Sequence, residues 1–193
     1  LMSEGISLQG QSEIPLVVYL AQRPGPATGI PTYTMQGDLD LALRAGHGEF
    51  PRVVIAPGDP IETIEKVNGA FYLSQKYNVL AIVLSDKHIA ESEFSSNQKI
   101  KKPLPVKVTR KVPGESLVKA SSYESDEFCI TAESAEIAVK NANDRLNKYE
   151  AIKNECKKFE MVKYYGKENS DNLIVGWGST KGAIIDAIED LDF

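Results

Sequence analysis

The sequence predicts an α/β fold, a parallel sheet with helices on both faces. Three observations predict it. Residues 14–20, 52–56 and 79–84 are short apolar runs rich in Val, Ile and Leu, the length and composition of buried strands. Between them lie stretches with apolar residues at helical spacing, above all residues 60–77. The resulting strand–helix alternation makes each connection a crossover, so the strands run the same way, with right-handed crossovers.

Each element has its own local cause. Residues 1–11 end a helix that turns through Gly10, and residues 14–20 form the first strand. A loop follows that holds Pro24, Gly25, Pro26, Gly29 and Pro31, which neither helix nor strand accommodates. Leu39, Leu41, Ala42 and Leu43 place a short helix over residues 36–45, closed by Gly46-His47-Gly48, before the second strand at 52–56. Asp59 is then a helix cap, Pro60 the first helical residue and Glu62 the third residue after the cap. That helix runs to about Tyr77 with Ile61, Ile64, Val67, Ala70, Phe71 and Ser74 on one face. The third strand, 79–84, is apolar throughout and is expected to be buried on both faces, with Ser85-Asp86-Lys87-His88 at its end.

Residues 93–111 break the pattern. Lys99, Lys101, Lys102, Lys107, Arg110 and Lys111 with Pro103 and Pro105 read as a solvated linker, with a basic contact to a partner subunit as the alternative. Tyr123 to Glu127 is an acidic loop. Residues 132–160 read as one long helix, acidic early and basic late, which complements the helix dipole. A second α/β unit then begins: a strand at 172–176, the turn Trp177-Gly178-Ser179-Thr180-Lys181-Gly182, and a helix over 183–191. The turn lacks the spacing of a dinucleotide fingerprint or P-loop and reads as structural.

Composition narrows the function. The chain has 193 residues, 42% of them apolar and 25% charged, enough for one large or two small domains with a real core. A net charge of −5 gives no electrostatic case for nucleic acid or an anionic membrane surface. No apolar run approaches the roughly 20 residues that span a bilayer. Cys129 and Cys156 have no metal-ligand spacing and too few companions for a secreted disulfide scaffold, so a cytoplasmic protein with reduced thiols is expected. His47 and His88 lie far apart with no ligand spacing and read as loop histidines, while Asp38 and Glu49 read as caps or partners of Arg44 and Arg52.

The chemistry concentrates just past the first strand. Arg23 is a fixed-charge fork suited to a two-point grip on a carboxylate or phosphate, with the hydroxyls of Thr28, Thr32 and Thr34 nearby. Open α/β sheets place ligands at the carboxyl ends of their strands. An arginine in a surface loop can also make an ordinary salt bridge.

The wording of this region goes further. S-E-I-P-L-V-V, Q-R-P-G-P-A-T-G-I-P-T, Q-G-D-L and H-G-E-F-P-R-V-V-I-A-P-G-D resemble the alpha subunit of the 2-oxoacid:ferredoxin oxidoreductases, thiamine diphosphate enzymes. The resemblance implies the later part of a pyrimidine-binding domain at 1–92, a linker at 93–131, and a helix with the start of a transketolase C-terminal-like domain at 132–193. It implies a beta subunit that holds the diphosphate and its magnesium, iron–sulfur clusters elsewhere in the holoenzyme, ferredoxin as electron acceptor and coenzyme A as co-substrate. Arg23 matches the family's arginine for the substrate carboxylate, and Thr28 and Thr32 match hydroxyl positions of the same loop. The family's activating glutamate belongs before residue 1, so this chain alone is expected to be catalytically silent.

Two departures stand out. The family loop usually reads Q-R-G-G-P-S-T-G, where this chain has Pro24 and Ala27; a histidine and a glycine usually stand where it has Ser125 and Cys129. Pyruvate, 2-oxoglutarate, branched-chain and aryl 2-oxoacids all share the carboxylate end; the loop leans toward the 2-oxoglutarate-type or broad enzymes. The competing class is a non-catalytic carboxylate-binding or assembly module. Co-purification of a beta-type partner would favour the enzyme.

Overall fold

A computed structural model describes residues 2–119 and 121–190. Its elements are α1 (Met2–Ser12), β1 (Leu16–Gln22), α2 (Leu39–Arg44), β2 (Arg52–Ile55), α3 (Pro60–Tyr77), β3 (Leu80–Asp86), α4 (Lys87–Glu91), α5 (Ala135–Cys156) and α6 (Thr180–Asp190). The expected end of the last helix at Leu191 lies outside the described residues.

The three strands form one parallel sheet in the order β1-β3-β2. The last strand in sequence is therefore the central one, and every residue of it is buried. Successive side chains of a strand point to opposite faces, and β3 uses both. Ala81 and Val83 pack with Val53, Ala70, Leu73 and Ile152 beneath α3 and α5. Leu80, Ile82 and Leu84 pack with Ile6, Ala42 and Ala45 beneath α1 and α2. Two apolar layers share one strand, and the helices cover both faces as the sequence predicts.

Helix α3 starts as its residues dictate. The Asp59 carboxylate accepts the Glu62 N–H at 2.8 Å, and Glu62 Oε2 accepts the Gly58 N–H at 2.9 Å. Asn78 ends the helix in the left-handed conformation, its N–H on the Ser74 carbonyl. The buried face matches the expected one at Ala70 and Ser74, with Val67 packed against the core, and differs at Leu73, which is buried, and at Ile64 and Phe71, which are exposed. The sheet takes the stripe through Leu73 because Val53, Ala81 and Val83 lie beneath it.

Other boundaries shift. β1 begins and ends two residues later than the apolar run, since Gln22 completes its ladder opposite Asp86. α2 is shorter than expected, and α5 ends at Cys156, after which Phe159 turns back against Tyr72. Residues 172–176 form no strand. Leu173 and Val175 are exposed, and no described strand lies beside them; an extended apolar segment becomes a strand only with a ladder partner. Arg52 does not pair with Asp38 or Glu49. It donates to the Ala45 carbonyl at 2.6 Å, closing the end of α2, and lies over the Phe50 ring. Arg44 pairs with Asp40.

Three carboxylates dock the later elements. Glu155 on α5 accepts the hydroxyls of Tyr72 and Tyr77 and pairs with Lys76 and Lys158. Glu124 takes a two-point grip from Arg145 and accepts from Asn141. Glu62 accepts from Lys163 and from Lys181 of α6.

Candidate functional site

The carboxyl ends of β1 and β3 meet at Gln22 and Asp86. Gln22 is a polar residue ending an apolar strand, and it is almost fully buried. Its carboxamide satisfies both ends of itself: Nε2 donates to the Ser85 carbonyl at 3.0 Å, and Oε1 accepts the Asp38 N–H at 2.9 Å. It thus ties the end of the sheet to the residue where the chain re-enters structure before α2. The residues between, 23–37, form a closed loop standing on the strand ends.

Arg23 lies at the base of that loop, exposed. Its Nε donates to the Thr28 carbonyl at 3.0 Å and its Nη2 to the Ala27 carbonyl at 3.3 Å. Those contacts orient the guanidinium plane. They leave both N–H groups of Nη1 and one of Nη2 free of partners among the described residues, which is the end-on edge that a carboxylate meets with two parallel bonds.

The loop folds back on itself to present those carbonyls. Ile30 N–H donates to the Pro24 carbonyl at 3.1 Å. Ala27 and Gly29 both have φ of +51°, and the Gly25–Pro26 peptide bond is cis. At Gly29 a side chain would collide with the Pro24 carbonyl, so only glycine fits there.

The three sequence candidates are not equally assembled. Arg23 and Thr28 meet, but through the threonine's backbone carbonyl rather than its hydroxyl. Thr32 is exposed and makes no hydrogen bond with Arg23 among the described residues. Thr34, further along the loop, accepts the His88 N–H at 3.4 Å and so touches the start of α4.

Residues absent from the sequence candidates complete the base. Asp86 is buried; Oδ1 caps α4 by accepting the Ile89 N–H at 3.0 Å, and Oδ2 has no partner among the described residues. Tyr19 donates to the Ser85 hydroxyl at 2.8 Å. Gln36 Nε2 donates to the Trp177 carbonyl at 2.7 Å, joining the loop to the turn that precedes α6. That turn closes locally, Thr180 Oγ1 donating to the Trp177 carbonyl and Lys181 N–H to that of Gly178. Lys181 is directed at Asp59 and Glu62 rather than at an open phosphate cradle.

The chain has relatives among known proteins. The family model described as pyruvate flavodoxin/ferredoxin oxidoreductase, thiamine diphosphate-binding, matches residues 1–168. The chain belongs to this family. Its whole length aligns at 36% identity with a protein named 2-oxoacid:ferredoxin oxidoreductase subunit alpha from Saccharolobus solfataricus, covering 34% of that protein. Over 60% of its length it is 40% identical to the 2-oxoglutarate oxidoreductase subunit KorA of Mycobacterium tuberculosis, of which it covers 18%. Among solved structures, 99% of the chain superposes on 37% of a 2-oxoglutarate:ferredoxin oxidoreductase from Magnetococcus marinus. The TM-score is 0.71 at 26% identity, and that structure has 2-oxoglutarate, coenzyme A and succinyl-CoA bound. The chain spans about a third of the length of the curated relatives it matches end to end.

Membership of this thiamine diphosphate-binding oxidoreductase family gives the parallel sheet and its loop a common context. Among the described residues, no cluster of His, Cys, Asp and Glu could hold a metal ion, and both cysteines are free. No helix among them is long and apolar enough to cross a membrane. The sequence reading missed Gln22, Gln36 and Asp86. For Gln22 and Asp86 the available signal was a polar residue at the end of an apolar run, where a strand end that stays buried must satisfy its side chain; Gln36, inside the loop, carried no such signal.

Proposed function

We propose that this chain is part of the alpha subunit of a 2-oxoacid:ferredoxin oxidoreductase and that Arg23 grips the carboxylate of the 2-oxoacid. The observation that carries the reading is the Arg23 geometry: the loop's own carbonyls fix the guanidinium at Nε and one Nη2 N–H, leaving its outer edge open. A planar carboxylate fits that edge, and the keto carbon is left free for attack. Family membership and relatives named as alpha subunits support the same reading.

In the overall reaction the 2-oxoacid loses carbon dioxide, its acyl group forms a thioester with coenzyme A, and the electrons released reduce ferredoxin. Thiamine diphosphate supplies the carbanion-stabilising chemistry when bound. In this reading the beta subunit would hold the magnesium and the diphosphate, and other parts of the holoenzyme the iron–sulfur cluster. This chain's part is to bind and orient. Because the carboxylate departs as carbon dioxide, a grip equally tight in ground and transition state would not raise turnover. An exposed arginine already sharing its donors with backbone carbonyls is a moderate grip of that kind. Thr28 shapes the loop through its carbonyl, and Thr32 lines its outer rim. Residues 1–92 form the later part of the pyrimidine-binding domain, 93–131 the linker, and 132–193 the helix and opening of the transketolase C-terminal-like domain.

The test is 2-oxoacid-dependent reduction of a viologen dye by the full-length alpha subunit assembled with its beta partner, with thiamine diphosphate and coenzyme A present. Turnover with a 2-oxoacid that is lost or demands far more substrate in Arg23→Ala supports both class and site. A folded, assembled complex that turns over no 2-oxoacid refutes the enzyme reading and leaves a carboxylate-binding or assembly module.

A further inference from the structure

We propose that Gln22 and Gln36 are positioning residues whose carboxamides hold the Arg23 loop in its carboxylate-gripping position, an inference that rests on the function proposed above. The loop has two fastenings that a sequence motif does not announce. At its neck, Gln22 bridges the Ser85 carbonyl of β3 and the Asp38 N–H at 3.0 and 2.9 Å. At its far side, Gln36 donates to the Trp177 carbonyl at 2.7 Å, from a position 141 residues away in sequence.

A carboxamide suits what Gln22 does. One end donates to a carbonyl and the other accepts from an N–H, both in a fixed plane and with no charge or change of protonation required. Gln22 is 1% exposed, so water cannot replace either bond, and loss of one partner leaves a buried polar group unsatisfied. Gln22 directly precedes Arg23. A rotation of the strand end therefore moves the arginine with it, and so alters the register of its Nε and Nη2 against Thr28 and Ala27.

Gln36 acts from the other side. Gly178 lets it approach, since a Cβ there would fall 2.5 Å from Gln36 Nε2. Behind Gly178 lies Asp86 Oδ2, the buried oxygen without a partner. The loop is thus clamped between the sheet and the turn before α6, and that turn is itself fixed by Lys181 on Glu62 at 2.8 Å. The loop's own bonds, Ile30 to Pro24 and Arg23 to Thr28 and Ala27, give it an internal shape, and Thr34 touches His88; Gln22 and Gln36 fix where that shape stands against the sheet and the turn. An arginine displaced by even an ångström loses its two-point geometry.

The experiment measures KM and kcat for the 2-oxoacid and KM for coenzyme A, in the full-length alpha subunit assembled with its beta partner. The variants are Gln22→Met, which keeps length and removes both bonds, and Gln36→Met, which keeps length and removes the donor without adding a charge. The expected result is a rise of about tenfold or more in KM for the 2-oxoacid, the scale at which one oriented interaction is lost, with KM for coenzyme A unchanged. A purely structural role would lower kcat by reducing the amount of active complex and leave both KM values where they were; that result overturns the proposal. If Gln22→Met fails to assemble, Gln36→Met decides alone by the same readout. Arg23→Ala run in parallel separates two failures. A KM that rises in Arg23→Ala but not in the glutamine variants overturns this inference only. A KM unmoved in Arg23→Ala removes the carboxylate reading, and this inference with it.

Discussion

Lys181, at the start of α6, holds its ammonium 2.8 Å from Oε1 of Glu62 in the first turn of α3. The same oxygen accepts from Lys163 at 2.6 Å, and the other carboxylate oxygen accepts the Gly58 N–H. One side chain therefore caps a helix and ties down two distant segments. Replacing Lys181 by Met removes its two charge-assisted bonds, to Glu62 and to Asp59, each worth about 1.5–3 kcal/mol when shielded from water and less where solvent screens it. The expected outcome is local: amides of α6 exchange with solvent at least about tenfold faster, while those of β3 keep their protection. Hydrogen exchange resolved by residue checks it; equal loss of protection in both would show that α6 is integral to the core.

Acid should act through three carboxyls together. Burial alone would push Glu62 up, but hydrogen bonds from Lys163, Lys181 and Gly58 outweigh it and hold the carboxyl at about 2. The Arg145 fork, against burial and with help from Asn141, holds Glu124 at about 2. Lys76 and Lys158, with both tyrosine hydroxyls and against burial, do the same for Glu155. All three lie below the ordinary glutamate value of about 4.3. Their contribution to stability is therefore complete above that value and is lost as pH falls toward about 2. Thermal midpoints should be flat from pH 7 to about 5 and then fall steeply; Glu124→Gln should flatten part of that acid limb. A midpoint that falls equally steeply in the variant would place the titration elsewhere.

Tyr72 gives the clamp on α5 a cleaner probe, because its hydroxyl donates to Glu155 Oε1 at 2.9 Å while its ring packs 6.1 Å from that of Phe159. Tyr72→Phe keeps the ring and removes both that bond and the one the hydroxyl accepts from Lys76, and should cost about 1–2 kcal/mol. Denaturant unfolding checks it. Glu155→Gln should cost more than Tyr72→Phe, since it also strands Lys76 and Lys158.

These docking contacts mark the limit of what the sequence disclosed. The sheet was legible because β3 is apolar on both faces and α3 opens with its cap Asp59, its first-turn proline and Glu62 within a few residues. Arg23 was legible because proline and glycine exclude regular structure around it. Gln22 and Asp86 were not, since their burial depends on partners that the chain supplies from more than sixty residues away or from the next turn. Residues 172–176 were misread for a related reason: apolar content predicts an extended segment, but a strand is a property of two segments. The exposed face of α3 at Phe71 likewise followed from which stripe Val53 and Ala81 could meet, which periodicity alone leaves open.

Cys129 carries a test of the acidic loop. Its φ is +62°, in the left-handed region, between an Asp126 carboxylate that accepts the N–H groups of Phe128 and Ile130 and the bridge of Ser125 to Thr131. Cysteine pays a steric penalty there that glycine does not, about 1–2 kcal/mol, offset in part by the greater freedom of glycine in the unfolded chain. Cys129→Gly should raise stability by about 0.5–1 kcal/mol, and Cys129→Val, branched at Cβ, should lower it by more than that. Chemical denaturation of the two variants beside the parent decides it. If valine is tolerated as well as glycine, the loop takes another backbone in solution and the Asp126 turn is not what shapes it.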